Sequence, residues 1–131
     1  RALYEGVAYS LRDCLEVMKS KDLGFTTARL TGGGARSALW RQIVADVLNI
    51  TVELPAVADA SFGAALLAGV GVGIFKDERA AAEVVRIVSR ATPDPARASV
   101  YDQGFPIYRD IQKALAPINH RIHAFAAGQN K

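Results

Sequence analysis

The stretch Leu30-Thr31-Gly32-Gly33-Gly34-Ala35-Arg36-Ser37 sets three glycines between a β-favouring segment and a segment of helical periodicity. Without Cβ atoms the backbone there can approach a ligand closely. The free N–H groups and the positive end of the following helix dipole would then point at an anion such as a phosphate. The stretch is not a Walker A loop, because no Lys-Ser/Thr pair follows its last glycine, and it lacks the G-x-G-x-x-G spacing of a dinucleotide fold. The residues alone leave two readings open, a phosphate cradle and a tight turn that holds no ligand.

Other chemistry-bearing residues read more plainly. Asp46 falls on the polar side of its helix and is expected in solvent, while Asp59 suits the cap of the helix after it. His120 and His123 cluster near the C-terminus, where surface positions are expected. Cys14 lies on the apolar face of the first helix and is expected to be a buried, inert thiol, and Trp40 is expected in the core. No Ser-His-Asp set, no paired carboxylates and no Cys/His set with zinc spacing can be assembled, so no catalytic residue and no metal ligand is assigned. Chemistry built on the glycine stretch must be completed by residues outside this sequence.

The elements that position these residues follow from periodicity. Leu3, Val7, Ala8, Leu11, Cys14, Leu15 and Met18 form one face of an amphipathic helix, ending near Asp22 to Gly24 with Gly24 as its left-handed cap. A strand is expected from Phe25 to Thr31, then the glycines, then a helix capped by Ser37 with Trp40, Ile43, Val44, Val47 and Leu48 inward. Thr51 to Leu54 reads as a second strand ended by Pro55. The Ala/Gly-rich stretch from about Ala60 to Val72 reads as a buried helix. Asp77 begins a helix with Ala80, Ala81, Val84 and Val85 inward, which the β-branched run Val84 to Val88 can turn extended near its end. Pro93-Asp94-Pro95 sets a stop and restart before a long last helix bearing Val100 or Tyr101, Phe105, Tyr108, Ile111 and Leu115, with Pro106 and Pro117 as points of kinking or division and a frayed polar tail from Gly128. The class is α/β, with so few strands that more are expected from sequence outside the chain.

Composition bounds the function. The chain has 131 residues, half of them hydrophobic, a net charge of +3 and 8% aromatics, with basic residues scattered as at Lys19, Lys21, Arg36 and Arg41. That charge pattern gives no footprint for nucleic acid. The longest apolar run, Phe62 to Phe75, is broken by glycines and is shorter than the roughly 20 residues that span a bilayer, so no membrane partner is expected. A lone cysteine suits a reducing, cytoplasmic setting. The sequence begins at Arg1 with no Met and no signal peptide, directly in a helical pattern, and on this reading it is a piece of a larger protein.

Several blocks together carry a resemblance. Arg1-Ala2-Leu3-Tyr4-Glu5-Gly6-Val7-Ala8, Thr31-Gly32-Gly33-Gly34-Ala35-Arg36-Ser37, Leu39-Trp40-Arg41-Gln42-Ile43, Ala45-Asp46-Val47-Leu48 and Gly63-Ala64-Ala65-Leu66-Leu67-Ala68, in this order and spacing, resemble the C-terminal half of an FGGY-type carbohydrate kinase. The xylulokinase branch is the nearest in pattern, and the segments after about residue 75 fit loosely. The resemblance implies the C-terminal domain of the actin-like ATPase, ribonuclease-H-like fold, an incomplete piece of a two-domain kinase in which residues 1–131 are the nucleotide-binding domain. It implies ATP and Mg²⁺ as cofactors, with Gly32, Gly33, Gly34 and Ala35 as the phosphate loop and Ser37 near the nucleotide. The implied reaction is phosphorylation of a sugar, first D-xylulose to xylulose 5-phosphate. Its catalytic Asp and most sugar contacts would lie in the absent N-terminal domain, the chain's first partner, so the chain alone is expected to be inactive. A homodimer, a kinase for another pentulose or polyol, and a non-catalytic interaction domain whose glycines are only a turn are carried as alternatives. Many family members place an acid a few positions before the Gly-Ala-Ala block; here Asp59 is open to two readings, that acid displaced by one position or a cap alone, and no catalytic role is given to it.

Overall fold

The computed structural model describes residues 1–128. Helix α1 spans Ala2–Lys19 and buries Ala8 and Leu15, seven residues apart and therefore on one face. It closes with Asp22 N–H bonded to Lys19 O at 3.1 Å and Leu23 N–H to Met18 O at 3.0 Å, the paired bonds of a Schellman cap. The left-handed residue of that cap is Asp22, at φ 59°, and not the expected Gly24. Asp tolerates this conformation through its short polar side chain. Gly24 serves a different need, since a Cβ there would meet Lys19 Cγ at 3.2 Å.

Strand β1 is Thr27–Arg29, shorter than expected, although Thr51 N–H to Thr26 O and Leu30 N–H to Glu53 O, both 2.9 Å, carry its pairing one residue further at each end. A 3₁₀ turn, Gly33–Arg36, leads into helix α2, Ala38–Leu48. Strand β2, Thr51–Pro55, runs parallel to β1, as a strand-helix-strand unit requires. Strand β3, Ile87–Ala91, is antiparallel to β2 and completes a sheet of order β1-β2-β3. The β-branched run after residue 84 thus leaves the helical state altogether: helix α4, Glu78–Glu83, ends before it.

The register sorts the sheet's two faces. Ala28, Val52 and Ala91 share a row on the side of the core, and Arg29, Glu53 and Arg90 share the next, on the opposite face. There Glu53 accepts from Arg29 Nε at 3.4 Å and Arg90 Nε at 2.9 Å. Against the core row lies α2, whose Ile43, Val44, Ala45, Val47 and Leu48 are buried, and on α2 rest α1 and the long helix α5, Pro95–Gly128. Asp94 caps α5 by accepting from Ala96 N–H at 2.9 Å and Arg97 N–H at 3.1 Å. Pro106 and Pro117 lie inside α5 without dividing it. Tyr101 and Phe105 are buried while Ile111 and Leu115 are exposed, and of the alternatives Val100 and Tyr101 it is Tyr101 that faces the core. The frayed tail expected from Gly128 lies, for residues 129–131, outside the described residues; Gly128 itself ends α5.

Helix α3, Ala60–Gly71, departs from its expected burial. Only Gly69 is buried, beneath the Phe75 ring, and Leu67 is 63% exposed, since α3 packs chiefly on α4.

Candidate functional site

Two loops leave the carboxyl ends of the adjacent parallel strands β1 and β2, the place where open α/β sheets bind ligands. They face each other across a cavity of about 810 Å³, lined by Gly32, Gly33 and Arg36 on one side and Ala56 to Ala60 on the other. Gly32 N–H donates to Ala58 O at 2.7 Å and ties the two loops together. Gly32 holds φ 86°, ψ 177°, a backbone region that side chains with a Cβ rarely enter. The chain can therefore swing from β1 into the 3₁₀ turn in one step. The turn's internal bonds, Ala35 N–H to Gly32 O and Ser37 N–H to Gly34 O, both 3.1 Å, leave the N–H groups of Gly33 and Gly34 ahead of its ladder.

The residues predicted to hold nucleotide divide into two groups. Gly32 and Gly33 line the cavity. Gly34 lies beside the Trp40 indole, Ala35 is fully buried, and Ser37 Oγ accepts from Trp40 N–H at 3.3 Å as the cap of α2. These three shape the turn and do not line the cavity. Arg36, which the sequence shows only as one of several scattered basic residues, contributes an exposed guanidinium to the cavity wall. Its signal is its position, two residues past the last glycine and in the same turn.

Asp59 Oδ1 accepts from Ser61 N–H and Ser61 Oγ, both at 2.8 Å, and caps α3 as expected. The Ser61 backbone N–H, then its hydroxyl, hold this carboxyl below the usual aspartate range, and the Arg36 charge adds to the effect. Arg36 and Asp59 thus set one positive and one negative group on facing walls. Among the described residues no three His, Cys, Asp or Glu side chains come together as a metal site, and Asp59 is the cavity's one carboxylate. A resident Mg²⁺ does not fit this donor set.

Three expectations are corrected away from the cavity. Asp46 is buried, at 3% exposure, and accepts from Arg97 Nε at 2.6 Å, Asp94 N–H at 2.8 Å and Gln42 Nε2 at 2.8 Å. Helical periodicity put it on a polar face, and the start of α5 folds over that face. Cys14 is exposed, because α1 buries only the narrow stripe of Ala8 and Leu15. Trp40 is half-buried against the core, its ring 5.5 Å from that of Tyr4. His120 and His123 are exposed on α5, as expected.

Comparison with known proteins agrees with the geometry. L-xylulose/3-keto-L-gulonate kinase of Escherichia coli is 35% identical over 124 residues, which are 93% of this chain and 25% of that protein. The crystal structure of xylulose kinase from Rhodospirillum rubrum superposes with a TM-score of 0.75 at 33% identity, covering 92% of this chain and 25% of that one. Gluconate kinase from Lactobacillus acidophilus superposes with a TM-score of 0.76 at 26% identity, covering 88% and 24%. The chain therefore spans about a quarter of the length of the relatives it matches. Residues 1–72 match the model of the C-terminal domain of the FGGY family of carbohydrate kinases, and with these relatives the match shows that the chain belongs to that family.

Proposed function

We propose that the cavity between the two strand-end loops receives the phosphates of ATP, and that the chain, as one nucleotide-binding domain over residues 1–131, supplies the ATP half of a sugar kinase's cleft. The observation that carries this reading is Gly32 and Gly33 lining a cavity of about 810 Å³ at the carboxyl end of a parallel strand pair, in a chain of the carbohydrate kinase family. The Gly33 backbone N–H and the Arg36 guanidinium supply the positive field that a polyphosphate needs, with Gly34 holding the turn behind them. Ala35 and Ser37 support the loop from behind. Phosphoryl transfer is chiefly positioning and charge stabilisation, and Mg²⁺ carried in on the ATP phosphates supplies part of that charge.

The base that takes the proton from the sugar hydroxyl, and most sugar contacts, belong to a preceding N-terminal domain, the partner of this one. D-xylulose, converted to xylulose 5-phosphate, is the first substrate to test, supported by the xylulose kinase neighbour, while the name of the Escherichia coli relative keeps L-xylulose in the same panel. The gluconate kinase neighbour favours keeping other sugars in the same test. The setting is cytoplasmic, with the exposed Cys14 as a free thiol. Among the described residues no helix is long and apolar enough to cross a membrane. The test is a coupled assay of the full-length protein with ATP, Mg²⁺ and a panel of D-xylulose, L-xylulose, glycerol and gluconate. ADP release dependent on D-xylulose is expected; turnover with another sugar moves the substrate, and no turnover and no nucleotide binding overturns the reading.

A further inference from the structure

We propose that Arg41 is a positioning residue for the phosphate loop, an assignment that rests on the cavity being the ATP site. Arg41 lies one turn into α2, is 8% exposed, and donates from Nη1 to Ala35 O at 2.6 Å. That carbonyl falls between two ladders. The last bond of the 3₁₀ turn is Ser37 N–H to Gly34 O, and the first of α2 is Arg41 N–H to Ser37 O, so neither supplies Ala35 O with a backbone donor. Ala35 is fully buried and water is not at hand to replace the missing donor. The guanidinium closes the gap and fastens the turn that presents Gly33 to the helix behind it.

A second observation concerns charge. The partly buried Arg12 meets Asp102 at 2.6 Å, and Arg97 meets the buried Asp46 at 2.6 Å. Arg41 pairs with no carboxylate among the described residues, although burying an unpaired cation is costly. The charge stands directly behind a loop whose open side is the cavity, and a bound polyphosphate is the anion that offsets it. Arg41 therefore acts twice, by holding the loop's shape and by adding to the field at the loop.

The test titrates the ATP analogue AMP-PNP and, separately, adenosine into the full-length protein, its Arg41→Met and Arg41→Gln variants, each first shown to be folded by circular dichroism. Met keeps the stem and removes donor and charge; Gln keeps one N–H donor without charge. AMP-PNP affinity is expected to fall on the order of tenfold in Arg41→Met and less in Arg41→Gln, with adenosine affinity unchanged within about twofold. Parental AMP-PNP affinity in folded Arg41→Met overturns the assignment, as does an equal loss for adenosine, which marks a general structural role. If neither variant folds, Arg41 is a folding residue and the assignment falls. An unmodified protein that binds no AMP-PNP defeats the ATP-site reading itself, a different result from a parent that binds and a variant that binds equally well.

Discussion

Ser37 and Gly32 stand five residues apart and do different work. Gly32 makes the turn possible through its positive φ, and Ser37 ends it by offering Oγ to the Trp40 N–H, which α2 would otherwise leave without a partner. Ser37→Ala should therefore destabilise the protein by about 1 kcal/mol, with Ser37→Asp restoring most of it, as urea denaturation would measure. A loss confined to nucleotide affinity with unchanged stability would instead place Ser37 at the ligand. Caps such as Ser37, Asp59 and Asp94 are legible in sequence because they act on backbone two or three residues away. Asp46 and Arg41 are not, since what surrounds them is set by partners brought in from α5 and by the path of the turn.

At the scale of elements, α1 and α5 are joined by a small polar latch in which Glu5 accepts from Arg1 Nε and from Tyr101 Oη, both at 2.8 Å. The Arg1 hydrogen bond first, and the Tyr101 hydroxyl second, hold the Glu5 carboxyl below its ordinary 4.5. A lowered carboxylate contributes stability in full above its unfolded value and loses it as pH falls through the folded value. Stability should thus decline below pH 4.5, and Glu5→Gln should flatten that acid limb while lowering stability at pH 7, as thermal melts across pH 2.5–7 would read. An unchanged acid limb would remove Glu5 from the latch. Elements with strong periodicity, α1 and α2, were legible to within a few residues. The third strand was legible only as a β-branched drift after Val84, because a five-residue strand owes its existence to pairing with β2, which no local pattern announces. For α3 the composition signalled close packing, and among the described residues it packs chiefly on the short α4.

The whole molecule leaves apolar faces open. Leu3 is 87% exposed on α1, Leu67 63% on α3 and Phe125 70% on α5, in a chain that spans about a quarter of its relatives. Interdomain surfaces within one chain commonly cover ~600 Å² or more. The 131-residue chain alone should bind a hydrophobic dye or self-associate, and should not phosphorylate any sugar of the panel with ATP and Mg²⁺. Turnover above background by the chain alone would show that it holds a base and a sugar pocket of its own. The central claim, that the glycine loop holds phosphate by close backbone approach, is tested most directly at Gly33. It lines the cavity, and a Cβ there meets nothing within 4 Å, so Gly33→Val adds bulk at the loop from a position where the first added atom has room. The measurement is calorimetric titration of AMP-PNP into the full-length protein and its folded Gly33→Val variant. A weakening on the order of tenfold is predicted, from blocked approach of phosphate to the backbone; an affinity equal to the parent's would contradict the account and leave the glycines as a turn alone.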